Sequence, residues 1–271
     1  MISITDTAVI KKEIASIRCF ALDMDGTFYL GGRLLEGSLE FISRVKETGR
    51  KFIFLTNNSS KSRKEYIRKL GGMGLSVNDD EVVTSGQAMI LHLRENYPGK
   101  RVFLLGNPVL AEEFMESGIL LDETDPQIVV TAYDTTLDYR KMCKVCDFVR
   151  QGLPYLATHP DFNCPTETGF EPDIGAIHAF IGASAGRVPD KVVGKPYAEI
   201  MACAFRQSGC VARETAMVGD RLYTDIAVSR HMPELRSILV LTGETSREDL
   251  INSDILPDMV FEGLKDITPL L

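Results

Sequence analysis

The sequence lacks both a long apolar run and an excess of positive charge. No stretch of about 18 consecutive apolar residues occurs, so we expect no membrane-spanning helix. Lysine and arginine together number 30 against 38 aspartates and glutamates, which gives a net charge of −8 and an isoelectric point near 5.2. Such a chain lacks the basic surface that nucleic acid polymers and anionic membranes attract. We therefore expect neither as a partner, while the sequence leaves a homodimer open.

Cysteines and histidines are few and scattered. The amino-terminal residues have no apolar signal core, and with only six cysteines the chain is expected to occupy the reducing cytoplasm. Cys143 and Cys146 form a C-x-x-C pair without a second pair, in a stretch whose pattern is helical. We predict ordinary helix residues there, at least one facing the core, rather than a redox or zinc site. No histidine is paired at metal-ligand spacing, and His92, His178 and His231 are predicted to lie on helix faces.

Short β-rich apolar runs alternate with amphipathic stretches along the whole chain, which predicts an α/β fold with a parallel sheet flanked by helices. The predicted strands are Arg18–Leu22, Lys51–Leu55, Arg101–Leu105, Gln127–Ala132, Pro154–Ala157, Thr215–Val218, Arg236–Leu241 and Asp258–Phe261. Crossover helices are predicted over Ser38–Thr48 and Ser62–Leu70, each ending at a glycine. No repeat or long linker occurs, so a second domain would be inserted through short hinges, near Val82–Gly86 and Ile181–Lys191.

Two carboxylates follow the first predicted strand. Asp23 and Asp25 lie in the run D-M-D-G-T, where a buried strand opens into a loop. Ligands of doubly wound sheets collect at the carboxyl ends of strands, so both side chains are expected in the active crevice. Their mutual repulsion would be relieved by a magnesium ion, which prefers carboxylate and backbone oxygens. The alternative is a simple turn, because Asp and Gly also favour turns.

A polar run, Thr56-Asn57-Asn58-Ser59-Ser60, follows the second predicted strand. Its hydroxyls and amides are suited to hold a phosphate, and Asn57 and Asn58 are predicted to bind substrate. Ser59 or Ser60 also fits as a helix N-cap. The two interpretations are compatible, because the free N–H groups of a helix amino terminus themselves attract anions.

Two later segments complete the set of polar motifs. Lys195 lies in Gly-Lys-Pro at a predicted helix start, with Pro196 in the first turn of the helix Tyr197–Gln207. A cation at a helix start suggests a negative partner, although a solvated surface lysine is the usual alternative. Asp220 and Asp225 follow another strand, and Asp220 would complete a metal site; the alternative is a turn with a capping aspartate.

Together, D-M-D-G-T, T-N-N, G-K-P and G-D-x-x-x-x-D resemble, in this order, the four signature motifs of the haloacid dehalogenase superfamily. The long insert and the segment from Ala157 to Thr166 resemble its NagD-like, para-nitrophenyl-phosphatase branch. This resemblance implies a doubly wound, Rossmann-like catalytic core over residues 1–82 and 187–271, and an inserted α/β cap over residues 83–186. It implies Asp23 as nucleophile, Asp25 as general acid and base, Thr56 as the phosphate-orienting hydroxyl and Lys195 as the charge-stabilising lysine.

The resemblance also implies the metal ligands and the substrate loop. Asp23, Asp220, Asp225 and the backbone carbonyl of Asp25 would surround Mg²⁺. His159-Pro160-Asp161 stands where the branch usually has Asn-Pro-Asp, and His159 and Asp161 are predicted to touch substrate from the cap. The stretch from His231 to Arg236 replaces a small glycine-containing turn, so the loop geometry there is expected to differ.

These features predict a magnesium-dependent phosphatase acting on a small phosphorylated metabolite, such as a sugar phosphate or a nucleotide, through an aspartyl-phosphate intermediate. Three alternatives stay open at this point: a dehalogenase or a phosphomutase of the same superfamily, and a non-catalytic protein that binds or senses a phosphometabolite. Asp25 argues against dehalogenation, because a halide leaving group needs no acid. Retention of Asp23, Asp25, Lys195 and Asp220 argues against a mere binding protein.

Overall fold

The computed structural model describes residues 6–166 and 169–271. Residues 1–5, the start of the segment predicted to lack a signal core, and residues 167–168 of the predicted cap lie outside the described residues. The chain divides into two compact units. The first comprises residues up to Leu55 with Ile67–Val83 and Lys195–Leu271, and the second comprises Thr56–Tyr66 with Thr84–Gly194.

The described residues form short strands alternating with helices. The strands are β1 (Cys19–Leu22), β2 (Tyr29–Leu30), β3 (Arg33–Leu34), β4 (Lys51–Thr56), β5 (Val82–Thr84), β6 (Arg101–Leu105), β7 (Leu120–Leu121), β8 (Ile128–Thr131), β9 (Tyr155–Ala157), β10 (Asn163–Thr166), β11 (Gly169–Pro172), β12 (Lys191–Val192), β13 (Thr215–Gly219), β14 (Arg236–Val240) and β15 (Met259–Phe261). The α-helices are α1 (Thr7–Ser16), α2 (Ser38–Glu47), α3 (Arg63–Gly72), α4 (Ser85–Asn96), α5 (Pro108–Glu116), α6 (Tyr139–Arg150), α7 (Ile174–Ala185), α8 (Ala198–Ser208), α9 (Val228–His231), α10 (Arg247–Ile251) and α11 (Leu264–Ile267).

A six-stranded sheet in the order β15-β14-β13-β1-β4-β5 forms the centre of the first unit. β1 pairs in parallel with β13 on one side and with β4 on the other, so Leu22 lies opposite both Val218 and Phe54. All residues of β1 and β13 are buried. Continuous apolar runs of this kind are typical of parallel strands covered on both faces. The predicted doubly wound, parallel-sheet core is confirmed.

The second unit has its own parallel sheet, in the order β12-β9-β8-β6-β7. Helices α6 and α7 bury Val145, Cys146 and Ile181 against this sheet. Cys146 is buried and Cys143 is exposed, and both are free thiols on one helix, as predicted. The unit boundaries fall at 55/56, 66/67, 83/84 and 194/195. The cap range of 83–186 stays a prediction. Residues 187–194 belong to the second unit because β12 pairs with β9.

Every predicted strand is present with small shifts at its ends, whereas very short strands and hairpins were missed. Two-residue pairs such as β2 and β3 carry too little periodicity to be recognised from sequence. Helix α3 continues through Gly71 and Gly72, where its end had been predicted, and the left-handed residue that follows it is Gly74, with φ of +91°. Helix α8 begins at Ala198 after the N-cap Tyr197, so Pro196 precedes the helix rather than opening its first turn.

Candidate active site

Acidic side chains leave two neighbouring strands at the same edge of the first unit's sheet. Asp23 directly follows β1, and Asp220 directly follows β13. Because the two strands run parallel and in register, their carboxyl ends lie side by side. A π-helical turn over Leu222–Ile226 then carries Asp225 back toward them. Such turns often occur at functional sites, because the extra residue redirects the following side chains.

Asp23, Asp220 and Asp225 form a compact group of buried carboxylates. Each offers one oxygen, and these three oxygens all lie within 4.8 Å of one another. Their residues are 9%, 2% and 0% exposed, respectively. Buried carboxylates at such separations repel one another strongly unless cations neutralise them. The group therefore forms a local, highly negative centre of hard oxygen atoms.

Lys195 supplies a positive charge to this group. Its ammonium donates to Asp23 and to the carbonyl oxygen of Leu55, 3.2 Å away, and it pairs with Asp225 at 2.6 Å. The side chain is almost completely buried. The inference that a lysine in this position has negative partners is supported, and the surface-lysine alternative is wrong. Arg221 adds a second positive charge that acts on Asp23 and Asp220, so two cations face three carboxylates.

The electrostatic consequence appears in the pKa values. Burial, together with the charges of Asp225 and Asp220, raises the pKa of Asp23 well above its usual value, although Lys195 opposes this shift. Burial and the charge of Asp225 raise the pKa of Asp220 to about 6. For Lys195, burial favours the neutral amine, but the charges of Asp225 and Asp23 outweigh it and raise its pKa. A further cation at this centre would reduce the repulsion among the three carboxylates.

Neighbouring groups hold the Asp220 carboxylate in place, and the motif-based reasoning assigned no role to them. Thr27 donates its hydroxyl to Oδ1 at 3.2 Å, and the backbone N–H of Glu244 donates to Oδ2 at 2.7 Å. Thr27 belongs to D-M-D-G-T, whereas Glu244 follows β14, outside all four motifs. The available signal was the Thr-Gly pair after a predicted strand, since loops at the carboxyl ends of strands collect site residues.

Asp25 is not a member of the three-carboxylate group. Its residue is half-buried, and its backbone forms an isolated bridge with Tyr29. The carboxylates that the structure groups within 4.8 Å are those of Asp23, Asp220 and Asp225. This is compatible with a side chain that donates a proton to a leaving group and does not itself hold a metal. Its roles as acid and base and as a carbonyl ligand stay predictions.

The predicted substrate residues lie in the second unit, and two of them meet. Asn57 is buried and donates its side-chain amide to Asp161 Oδ2 at 3.1 Å. The hydroxyl of Thr56 accepts the N–H of Asn58 at 3.2 Å, which forms a local turn directly after β4. Asn58 also contacts the sulfur of Cys164 at 3.5 Å. The structure thus joins Asn57 and Asp161 into one polar cluster, and contact with substrate stays a prediction for each.

His159 is fully buried and engaged through both ring nitrogens. Nε2 lies 3.0 Å from Asp173 Oδ1, and Nδ1 lies 2.9 Å from the hydroxyl of Thr158. His159, Asp161 and Asp173 each offer an atom within 4.8 Å of the others, a grouping that spacing in the sequence did not reveal. His159 and Asp173 belong to this group because they contact each other directly. As predicted, His92, His178 and His231 lie on α4, α7 and α9.

None of the helices in the described part of the chain combines the length and the apolar character that crossing a bilayer requires.

Comparison with known sequences places the chain among hydrolases. Residues 20–120 match the family described as haloacid dehalogenase-like hydrolase. Residues 192–267 match a second family model, described as HAD-hydrolase-like. An acid sugar phosphatase from Staphylococcus aureus (strain MRSA252) is 32% identical over 250 residues, covering 92% of this chain and 96% of the relative.

Solved structures show the same relationship over nearly the whole fold. A 4-nitrophenylphosphatase from Thermotoga maritima is 46% identical with a TM-score of 0.92, covering 95% of this chain and 98% of that one. NagD from Escherichia coli K-12 is 29% identical with a TM-score of 0.84, covering 93% and 98%. A glycerol phosphate phosphatase from Mycobacterium tuberculosis, in complex with magnesium, is 29% identical with a TM-score of 0.87, covering 94% and 78%. The chain therefore belongs to the haloacid dehalogenase-like hydrolases, in the neighbourhood of NagD and the nitrophenylphosphatases.

Proposed function

We propose that this chain is a magnesium-dependent phosphatase that hydrolyses monoesters of small phosphorylated metabolites. The observation that carries the proposal is the buried Asp23 carboxylate, held by Lys195 within a group of three acids. The relatives named acid sugar phosphatase and glycerol phosphate phosphatase support sugar and polyol phosphates as the first substrates to test. Nucleotides belong in the same panel.

In the first half of the reaction, a carboxylate oxygen of Asp23 attacks phosphorus in line with the ester oxygen. The new bond from oxygen to phosphorus forms as the bond to the ester oxygen breaks, which leaves an aspartyl-phosphate. Asp25 donates its proton to the departing alkoxide, so the product leaves as a neutral alcohol. The ion pair with Lys195 holds Asp23 in the orientation that this attack requires.

In the second half, ionised Asp25 accepts a proton from a water molecule as that water attacks the phospho-enzyme. The bond between Asp23 and phosphorus breaks, inorganic phosphate leaves, and both carboxyl groups return to their starting states. Unaided hydrolysis of phosphate monoesters is so slow that accelerations reach about 10²¹-fold. Charge stabilisation must therefore contribute most, and Lys195 and the hydroxyl of Thr56 are the proposed donors to the phosphoryl oxygens.

The carboxylate group also fits a divalent cation. Asp23, Asp220 and Asp225 present hard oxygen ligands, the kind that Mg²⁺ prefers. Burial first, and the charge of Asp225 second, raise the pKa of Asp23 and of Asp220, although Lys195 and Arg221 oppose both shifts. We propose that these three residues and the carbonyl of Asp25 hold Mg²⁺. The bound ion would supply positive charge beside the phosphoryl oxygens.

The test is phosphate release from a panel of sugar phosphates, glycerol phosphate, nucleotides and nitrophenyl phosphate, with Mg²⁺ or with EDTA. Asp23→Asn should reduce turnover to the background rate while the protein stays folded, because an amide is a poor nucleophile. Asp254→Asn, at an exposed position of the same unit, is the matched control and should keep wild-type rates. Near-normal activity of Asp23→Asn would refute the nucleophile assignment.

The role of Asp25 has its own signature in the same panel. Asp25→Asn should slow glycerol phosphate hydrolysis far more than nitrophenyl phosphate hydrolysis, because nitrophenolate leaves almost without a proton. Equal losses on both esters would contradict the acid role. Isomerised product without free phosphate would indicate a phosphomutase, and binding without any turnover would indicate a sensor.

A further inference from the structure

We infer that the loop Thr242–Thr245, after β14, is the positioning element that holds Asp220 ready for the cation. Gly243 leaves the space that the Asp220 carboxylate occupies, and the Glu244 N–H sets its orientation. This inference rests on the proposed function, because the cation belongs to that site. It assigns positioning roles to residues that lie outside the four signature motifs.

Hydrogen bonds from this loop meet both the side chain and the backbone of Asp220. The N–H of Glu244 donates to Oδ2 at 2.7 Å, and the N–H of Thr245 donates to the Asp220 carbonyl oxygen at 3.2 Å. On the opposite side, the Thr27 hydroxyl donates to Oδ1 at 3.2 Å. Each carboxylate oxygen thus has one fixed donor. These two hydrogen bonds hold the carboxylate in one orientation, so the remaining lone pairs of its oxygens point in fixed directions.

Two glycines wall the slot in which this carboxylate lies. A Cβ on Gly243 would overlap Oδ2 of Asp220 and lie 2.5 Å from its Cγ. A Cβ on Gly26 would lie 2.7 Å from the same Cγ, but Gly26 also has φ of +88°, so a side chain there would strain the backbone as well. Gly243 lies outside the left-handed region. Substitution of Gly243 therefore tests the contact with Asp220 without the added cost of an unfavourable φ.

The loop itself is tied to both neighbouring segments. The Glu244 carboxylate pairs with Arg221 Nε at 3.0 Å and accepts the hydroxyl of Tyr223 at 2.8 Å. The hydroxyl of Thr242 donates to the carbonyl oxygen of Gly26 at 2.6 Å. Arg221 and Tyr223 follow Asp220 closely in sequence, so the contacts of Glu244 tie the loop to the same segment that carries the acid. Groups that orient a metal ligand in this way are typically worth about 10- to 100-fold in metal affinity.

The decisive experiment measures Mg²⁺ binding to the folded full-length chain by isothermal titration calorimetry. Gly243→Ala should raise the Kd for Mg²⁺ by about tenfold or more, because the methyl group displaces the Asp220 carboxylate from the Glu244 N–H. Phosphate release by this variant should recover as Mg²⁺ is increased. Gly71→Ala is the matched control: a Cβ there meets no atom within 4 Å, and its Kd should equal that of the wild type.

A second variant keeps the inference testable should Gly243→Ala fail to fold. Glu244→Ala retains the backbone N–H but removes the ties to Arg221 and Tyr223, so we expect a severalfold higher Kd for Mg²⁺ with the melting temperature measured in EDTA nearly unchanged. A Kd within twofold of wild type in the folded Gly243→Ala variant would overturn the inference. If Gly243→Ala does not fold, a Kd for Mg²⁺ within twofold of wild type in Glu244→Ala would overturn the inference. Failure of the wild type to bind Mg²⁺ would instead refute the proposed function.

Discussion

At the scale of single residues, Lys195 supplies positive charge directly to two of the three buried carboxylates. It lies 172 positions from Asp23 in sequence, yet its ammonium contacts that carboxylate, Asp225 and a backbone carbonyl in a buried environment. Burial alone would lower the pKa of Lys195, because desolvation disfavours the charged ammonium. The neighbouring carboxylates of Asp225 and Asp23 outweigh this effect and raise the pKa. The two sides of this contact stabilise each other, so removal of one side leaves buried charge without compensation.

We therefore predict that Lys195→Met destabilises the protein by about 3 kcal/mol at pH 7 in EDTA, as measured by urea unfolding. The loss should be smaller at pH 5, because the uncompensated carboxylates of the folded variant there take up protons. Lys12→Met, at an exposed position of α1, is the control. An equal loss at both pH values would show that packing, rather than charge, is what Lys195 contributes.

At the scale of elements, the packing of α7 sets the pKa of a histidine that this helix carries. The helix is capped by Asp173, and His178 on its inner side lies 2.9 Å from the Thr131 hydroxyl. Burial, with a smaller contribution from the charge of His159, lowers the pKa of His178 to about 3. The sequence predicted a helix-face histidine here. The depth of its burial depends on packing of α7 against the sheet of the second unit.

The sign of the pH effect follows from this depressed pKa. An unfolded chain protonates histidine near pH 6.5, whereas His178 in the folded protein resists protonation until about pH 3. Between these values the unfolded state binds the extra proton, so stability falls as the pH falls. We predict that wild type loses about 2 kcal/mol more than His178→Gln between pH 7 and pH 4.5.

Urea unfolding at the two pH values measures this difference. Titration of other groups is common to both proteins and cancels in the comparison. His231→Gln, at an exposed position, is the control and should follow wild type. A His178→Gln variant with the same pH dependence as wild type would mean that His178 is already accessible to protons in the folded state.

At the scale of the whole molecule, charge organisation links stability to the metal. The chain carries a net charge of −8, so its overall field repels phosphorylated substrates and attracts divalent cations. The three-acid group concentrates that negative charge in a buried place. A ligand that binds the folded state alone stabilises it by mass action, by about 2.7 kcal/mol at a concentration of 100 times its Kd.

We predict that Mg²⁺ at this concentration raises the unfolding free energy of wild type by about that amount and raises the melting temperature accordingly. Asp220→Asn should abolish most of the increase, because it removes one carboxylate ligand. Asp254→Asn should show the full wild-type increase. An identical response in Asp220→Asn would place the stabilising ion elsewhere.

The sequence by itself determined the α/β class, the positions of the main strands along the chain and the four polar motifs, because periodicity and chain polarity are local properties. It suggested a negative partner for Lys195 but left a solvated surface lysine open. It missed short strands such as β12, since two residues carry no usable period.

Only the tertiary structure decided how these segments meet. The π-helical turn that returns Asp225 to Asp23, the pairing of both with Lys195, and the Glu244 N–H on Asp220 join residues remote in sequence. The full burial of His159 against Asp173 is of the same kind. Such contacts depend on strand order and on packing between elements, and neither is encoded in the neighbourhood of any one residue. Local pattern determined which groups would be available, and the folded sheet decided which of them became neighbours.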